Sequence, residues 1–366
     1  MPDRRQLISL YRRGAAVLLT LVRVEGSSYR REGARLLLAP NGEYAGGLSG
    51  GCLEAELLRQ AQWMVEKGSA VRRYSTHMQE GDREDVGDVD VTEIPFGLGC
   101  GGIVDVLLEP ANTPECAALF EAMAATLAGE TRHVRTILPS VEGNWLRRSV
   151  QDGEGRVLFA SEGFAEERAD SGDCFEETLL PPQRLVILGA GDDAVPMVVL
   201  ARTLGWRVLV VDGRSHLATT ARFPLADRVL RMDAEDATRL PLHADDAVLL
   251  MTHSFAQDLA WLKQLLPRGL RYLGLLGSRP RSALLIHQAA AARSMVLQVA
   301  AAAVTAPMGL DLGGDGAAAI ALSTIAEVQA VCTGRLAVRR SMTVAEIEAQ
   351  LVLAVRSRSL SEPCAL

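Results

Sequence analysis

From Arg184 onward the chain follows a rhythm that few folds can accommodate. Leu185–Leu188 is a short apolar run, Val195–Leu204 carries apolar residues at helical spacing, and Val208–Val211 is short and apolar again. Ala247–Met251, Leu259–Leu266 and Tyr272–Leu275 repeat the order strand, helix, strand. Strand-length runs that alternate with helices predict a parallel, doubly wound α/β sheet.

The first turn of this region is Gly189-Ala190-Gly191-Asp192-Asp193-Ala194, which fits G-x-G-x-x-A between a predicted strand and a predicted helix. Asp212 ends the next strand 23 residues after Gly189 (212 − 189), where an acid faces a ribose hydroxyl in dinucleotide-binding folds. The glycines let backbone N–H groups approach a pyrophosphate at the helix N-terminus. Asp192 and Asp193 oppose this, because they put negative charge where the phosphate would sit and cap the helix themselves. Two readings therefore stand: an NAD(P) site, or a Rossmann-type fold whose first turn is capped by its own side chain. Asp212 followed by Arg214 leaves NAD against NADP open. Met251-Thr252-His253-Ser254 follows another predicted strand, at the carboxyl edge where open α/β sheets bind ligands. His253 there is a candidate acid, base or ligand, or a structural histidine.

Residues 1–160 read differently, as an α+β domain of short strands and one clear helix. Ala15–Val22 is apolar but is followed by Arg23 and Glu25, too short to span a membrane and without a cleavage site, so it is expected as a buried strand. Arg35–Ala39 is a further strand, with Asn41-Gly42 as a hairpin turn. Leu53, Leu57, Leu58, Ala61, Met64 and Val65 recur at helical spacing until Gly68. Ile103–Leu108 is a strand closed by Pro110. Residues 161–183 crowd acids (Glu162, Glu166, Glu167, Asp170, Asp173, Glu176, Glu177) before Pro181-Pro182 and are expected as an exposed acidic linker. Residues 184–366 form the second domain, which ends in helices over Gly316–Val331 and Ala345–Val355.

A net charge of -7 with scattered arginines shows no basic face for nucleic acid. Six cysteines without a C-x-x-C pair exclude a zinc ribbon or thioredoxin motif and suit a reducing cytoplasm. Two of them have a special setting. Gly46-Gly47-Leu48-Ser49-Gly50-Gly51-Cys52-Leu53-Glu54 runs a glycine-rich loop into a helix, an arrangement that exposes backbone N–H groups to an anion. Cys52 falls in the first turn, where the helix dipole favours thiolate. Phe96-Gly97-Leu98-Gly99-Cys100-Gly101-Gly102 repeats the theme. If Cys52 and Cys100 meet, they are candidates to hold a metal, share a persulfide or form a regulatory disulfide. The plainer reading makes the glycines turn residues and each cysteine a small buried hydrophobe, which is the reading for Cys116, Cys174, Cys332 and Cys364. Gly26-Ser27-Ser28-Tyr29-Arg30-Arg31 offers hydroxyls and two cations to an anion, or is a solvated loop.

Taken together, VEGSSYRREGARLLL, GGLSGGCLEAEL, FGLGCGG, the stretch from ILGAGDD to VVDGR, MTHSFAQDLAWLKQLL, LGLLGSRPR and APMGLDLGGDGAAAIALSTIAEV resemble the XdhC/CoxI family of molybdenum-hydroxylase accessory factors, from residue 24 to residue 328. The resemblance implies an XdhC-type N-terminal domain and a C-terminal Rossmann domain. It implies a chaperone that binds the molybdopterin form of the molybdenum cofactor, protects it during sulfuration and delivers it to an apo, xanthine-dehydrogenase-like hydroxylase. It further implies a homodimer with transient contacts to a cysteine desulfurase; the cysteine, charge and apolar-run readings add a cytoplasmic protein with no nucleic acid and no membrane as the expectation. Carried onto this chain, the family's cysteines are Cys52 and Cys100 and its Rossmann glycines Gly189 and Gly191. Together with the residues read above, the candidate cofactor-contacting residues are Gly50, Gly51, Cys52, Glu54, Cys100, Gly101, Gly189, Gly191, Asp212 and His253, with Cys52 and Cys100 as candidate metal ligands. Gly277-Ser278-Arg279 and Gly309-Leu310-Asp311 match two further family segments. Many members have a His after the GxG turn where this chain has Asp192. An NAD(P)-dependent oxidoreductase is the alternative, and a thiol enzyme or redox sensor a third.

Overall fold

The computed structural model describes residues 3–51, 53–54, 57–59, 61, 65–66, 68–75, 93–95, 102–139, 146–164 and 174–336. The chain divides into two compact units. The first is Met1–Leu185 with Val198–Leu209 and Phe223–Val229, and the second is Val186–Met197, Val210–Arg222 and Leu230–Leu366.

The chain opens with helix α1 (Asp3–Arg13), followed by strands β1 (Val17–Glu25), β2 (Arg35–Leu38), β3 (Tyr44–Gly46), β4 (Ala70–Ser75), β5 (Glu93–Pro95) and β6 (Ile103–Pro110). These six strands form one sheet in the order β3-β2-β1-β6-β4-β5. All pairings are antiparallel except β4 with β5, which is parallel. Residues 17–22 of β1 are all buried, because both faces of the sheet are covered. Val17, Leu19 and Leu21 pack with Leu36, Leu38, Leu53, Leu57 and Ala61. Leu18 and Leu37 pack on the other side with Leu7, Leu10 and Phe120. A strand buried on both faces reads as a continuous apolar run, so Ala15–Val22 carries the strand signal without alternation.

Helix α2 (Pro114–Ala128) was not read from the sequence, although its punctuation is present. Thr113 accepts a hydrogen bond from the Cys116 N–H, Pro114 opens the first turn, and Gly129 closes the helix at φ 108°. Its apolar residues spread around the helix, so no single stripe marks it. Strands β7 (Arg132–Ile137), β8 (Arg147–Asp152), β9 (Val157–Ala160) and β10 (Cys174–Leu179) form a second sheet in the order β10-β7-β8-β9. β10 corrects the reading of 161–183 as linker throughout. It pairs antiparallel with β7 over its full length, and Phe175 and Leu179 are buried. The acidic count masked this short alternation. Glu177 is no solvent residue either, since it pairs with the buried Arg35. Residues 165–173 lie outside the described residues.

Arg148 of β8 joins the second sheet to the first. Its guanidinium forks onto both oxygens of Glu109 in β6 at 3.0 Å and also donates to Thr136 and to the Glu115 carbonyl. Both partners are essentially inaccessible, at 2% and 0% exposure, so neither charge can be hydrated if the other is removed.

The third sheet is the one anticipated from Arg184 onward. β11 (Arg184–Leu188), β12 (Arg207–Asp212), β13 (Arg228–Arg231), β14 (Ala247–Leu250) and β15 (Tyr272–Leu275) lie in the order β13-β12-β11-β14-β15, with β14 and β15 parallel. The helices are α3 (Ala194–Thr203), α4 (Phe255–Leu265), α5 (Arg279–Ala292), α6 (Leu297–Ala302) and α7 (Gly316–Cys332). This is the doubly wound Rossmann-type order, whose direction reverses between β11 and β14 and opens a crevice at their carboxyl ends. The helix expected over 345–355 lies outside the described residues. Among the described residues no helix is long and apolar enough to cross a membrane.

Replacing Arg148 by Met is expected to lower stability by about 3–5 kcal/mol, the cost of leaving one partner of a buried pair uncompensated. Urea unfolding followed by circular dichroism measures this; a loss below about 1 kcal/mol would show that Glu109 is neutralised without its partner.

Candidate functional site

Strand direction sends two described loops and the ends of β4 and β5 toward one end of the six-stranded sheet. β1 runs toward this edge and ends at Glu25, which pairs with Ile103 at the start of β6. Ser75 and Pro95, the last residues of β4 and β5, are paired there as well, with Ser75 opposite Ile103. β3 runs in the same sense as β1 and ends at Gly46. The Gly26–Arg31 loop leaving β1, the ends of β4 and β5 and the start of β6 therefore meet at one edge, and the Gly46–Gly51 loop leaves β3 in the same direction, level with Leu19 of β1. Gly102 shows how closely two of them meet. A Cβ there would lie 2.2 Å from the Ser27 carbonyl oxygen and 2.8 Å from that of Glu25, so only glycine fits. Cys52, Cys100 and Gly101 lie outside the described residues, whereas their neighbours Gly51, Leu53 and Gly102 are described.

The Gly46–Gly51 loop is closed by the chain's own acid. Glu54, 7% exposed, accepts the N–H groups of Leu48 at 2.8 Å, Ser49 at 2.5 Å and Gly51 at 3.1 Å, and the Ser49 hydroxyl. Burial alone would raise this carboxyl. The Ser49 hydroxyl and the loop N–H groups outweigh burial and hold it below the ordinary glutamate range. The loop's N–H groups converge on Glu54, the chain's own carboxylate. Gly50 has no neighbour within 4 Å of a would-be Cβ and stays open to solvent.

The Rossmann-type turn is closed in the same way. Gly189 has φ 122°, and a Cβ there would meet the Met251 carbonyl oxygen at 2.3 Å, so the glycine permits β11 and β14 to converge. The Ala190 N–H donates to Asp212 at 2.7 Å. Arg214 adds its backbone N–H and two guanidinium N–H groups to the same carboxylate, so each oxygen carries two hydrogen bonds. Burial pushes the Asp212 carboxyl up, but Arg214 and Ala190 win and hold it below the usual range. A ribose diol would have to compete with Arg214 for this residue. Asp192 is exposed and paired with Arg222 at 2.7 Å.

His253 does meet the turn. Its Nε2 lies 2.8 Å from Asp193 Oδ2, and a Cβ on Gly191 would lie 2.9 Å from Asp193 Oδ1 and within 4 Å of the imidazole. His253 also has φ 64°, a left-handed conformation that a non-glycine residue adopts at a cost. The sequence marks Asp193 as a helix cap and a repulsive charge, and nothing in it marks this pair. Asp258 is equally unmarked; it is fully buried on α4 and accepts from the Thr252 N–H and hydroxyl and from Arg281 at 2.6 Å. An acid three residues into the helix after its first residue reads as ordinary helix punctuation, so nothing local flags it. Gly277 (φ 136°) turns the chain from β15 toward α5. Gly309 (φ 104°) donates its N–H to Glu327, which also accepts the Tyr272 hydroxyl. Cys116 is fully buried and burial pushes its thiol up, in keeping with a small core residue. Among the described residues no cluster of three or more His, Cys, Asp or Glu is placed to hold a metal.

The glycine turn, the switch-point crevice and the preceding α+β part define the class: a protein with a C-terminal Rossmann-type domain. The model of the XdhC Rossmann domain matches residues 185–328, and that of the XdhC and CoxI family matches residues 10–75. The chain belongs to the XdhC and CoxI family. It is 28% identical over 325 residues to a Bacillus subtilis protein described as a probable xanthine dehydrogenase subunit, covering 86% of this chain and 92% of that one. A crystal structure described as a xanthine dehydrogenase from Bacillus halodurans superposes with a TM-score of 0.75 at 29% identity, over 94% of this chain and 99% of that one.

Because the folded-state pKa of Asp212 is lowered, its stabilising contribution is present above the ordinary carboxylate pKa. It disappears as pH falls through the lowered value. Asp212→Asn is expected to cost roughly 1.5–3 kcal/mol at neutral pH, the range for hydrogen bonds to a charged group, and to flatten the acid side of the stability profile. Thermal unfolding from pH 7 to pH 3 tests this, and parallel profiles for the two proteins would contradict it.

Proposed function

We propose that this protein is an accessory factor of a xanthine-dehydrogenase-type molybdenum hydroxylase, and that it binds molybdopterin at the loop edge of the six-stranded sheet, shields it and hands it to the apo-enzyme. One observation carries the reading. The strand order sends the same way the Gly26–Arg31 loop, the loop that leads toward Cys52, and the end of β5 and start of β6, between which Cys100 falls in the sequence. These are the three segments of the N-terminal part that carry its family resemblance.

Molybdopterin supplies a dithiolene and a terminal phosphate. The residues at this edge suit both. Ser27, Ser28, Arg30 and Arg31 offer hydroxyl and cationic donors to a phosphate, and the thiols of Cys52 and Cys100 would be soft donors for a metal carried by the dithiolene. Glu54 fixes the course of the loop before Cys52 by holding three of its N–H groups. The Rossmann-type turn does not suit the group, because Asp192 and Asp193 stand where an anion would sit. On this reading a cysteine desulfurase provides sulfur while the cofactor is held, the chain works as a homodimer in the cytoplasm, and the receiving partner is the apo-hydroxylase.

The test uses full-length protein co-expressed with an active molybdopterin pathway, with bound pterin measured by fluorescence after oxidation and bound metal by mass spectrometry. Near-stoichiometric pterin is expected in the wild type, less in Cys52→Ser and Cys100→Ser, and wild-type loading in Asp193→Asn. Pterin that survives both cysteine substitutions but is lost with Asp193→Asn would move the site to the Rossmann-type domain.

A further inference from the structure

A cavity of about 220 Å³ opens at the carboxyl ends of β12, β13 and β14, beside the Rossmann-type turn. Its floor is Asp212 and Gly213, and its sides include Asp233, Thr252, Gln257 and Trp261. We infer that this cavity is a nucleoside site, built to take a neutral nucleoside and to turn away its phosphorylated forms.

The base end is set by α4. Ala256 and Ala260 stand one turn apart and leave space, and the buried Trp261 supplies an aromatic wall. Gln257 adds an amide that can both donate to and accept from a heteroaromatic edge. Pockets for planar ligands combine apolar walls and a few polar groups in this way.

The ribose end rests on Asp233 instead of Asp212. Asp212 is fully engaged by Ala190 and Arg214. Asp233 is exposed, precedes the 3-10 turn Ala234–Arg239 and makes no capping hydrogen bond with its side chain. A Cβ on Gly213 would lie 1.8 Å from Asp233 Oδ1, so the bare glycine is what lets this carboxylate lie across the floor. A carboxylate so placed accepts from a vicinal diol, as the acid after the second strand does in dinucleotide-binding folds.

The phosphate end is closed. The Ala190 N–H is committed to Asp212, the Ala194 and Val195 N–H groups bond within the turn to Gly191 and Asp192, and the carboxylates of Asp192 and Asp193 flank the position of a pyrophosphate. Arg222 and His253 pair with those acids and do not convert the turn into a cationic site. A phosphate would meet the carboxylates of Asp192 and Asp193 beside an Ala190 N–H that is already taken, whereas a nucleoside meets neither. Nucleoside binding in this cavity does not depend on where molybdopterin binds.

Isothermal titration calorimetry on the full chain decides it, with adenosine, ADP and NAD⁺ as probes. Saturable adenosine binding is expected, with ADP and NAD⁺ weaker by at least about tenfold, equivalent to about 1.4 kcal/mol. Asp233→Asn is expected to weaken adenosine by about tenfold, and Asp192→Asn with Asp193→Asn to narrow the gap between adenosine and ADP. No adenosine binding at millimolar concentration, or ADP or NAD⁺ binding as tightly as adenosine, would overturn the inference. Unchanged adenosine affinity in Asp233→Asn would overturn the ribose contact.

Discussion

Both glycine-rich turns of this protein are held by a carboxylate of the chain itself. Glu54 gathers the N–H groups of Leu48, Ser49 and Gly51, and Asp212 takes that of Ala190 while Arg214 clamps it from the other side. A run of glycines has little preference for one conformation and loses much chain entropy on folding. Charge-assisted hydrogen bonds to N–H groups are among the stronger ones available to offset that loss. The turns therefore have defined shapes without a ligand. The same bonds fix what the turns can accept, because an N–H that donates to a buried carboxylate is not free for a phosphate.

The consequences differ between the two parts of the chain. In the N-terminal part, Glu54 orders the loop up to Gly51 and leaves Gly50 open, and this loop leaves the sheet in the same direction as the one that carries Ser27, Ser28, Arg30 and Arg31. The strand order of the six-stranded sheet makes this end the candidate site, because segments separated by up to some seventy residues in sequence leave the sheet toward it. In the C-terminal part, Asp192, Asp193 and Asp212 make the switch-point crevice acidic where dinucleotide-binding relatives of the fold are receptive to anions. A Rossmann-type fold by itself specifies no ligand; the side chains around the turn do.

Much of this was legible in the sequence. Strands β11, β12, β14 and β15 and helices α3 and α4 are marked by apolar runs of the right length, and Gly189 and Gly191 stand where strand meets helix. β1, β2 and β6 were visible for the same reason. α2 and the strands β7 to β10 were not. α2 has no clear apolar stripe, and β10 hides two core residues, Phe175 and Leu179, among glutamates. At the sites, the sequence pointed to Asp212, His253 and the loop before Cys52. It could not show that Asp193 pairs with His253, that Asp258 anchors Thr252, or that Glu54 fills its own loop. Those are contacts made by tertiary structure, and single residues of ordinary type carry no mark of them.

If these three segments form a single site for molybdopterin, the cofactor must quieten all three at once. Hydrogen–deuterium exchange on the full chain, with and without molybdopterin, tests this directly. Slowed exchange is predicted in the peptides spanning residues 26–31, 47–54 and 96–102 together, with none at 189–193 or 252–254. Slowed exchange confined to the peptides at 189–193 and 252–254 would contradict it.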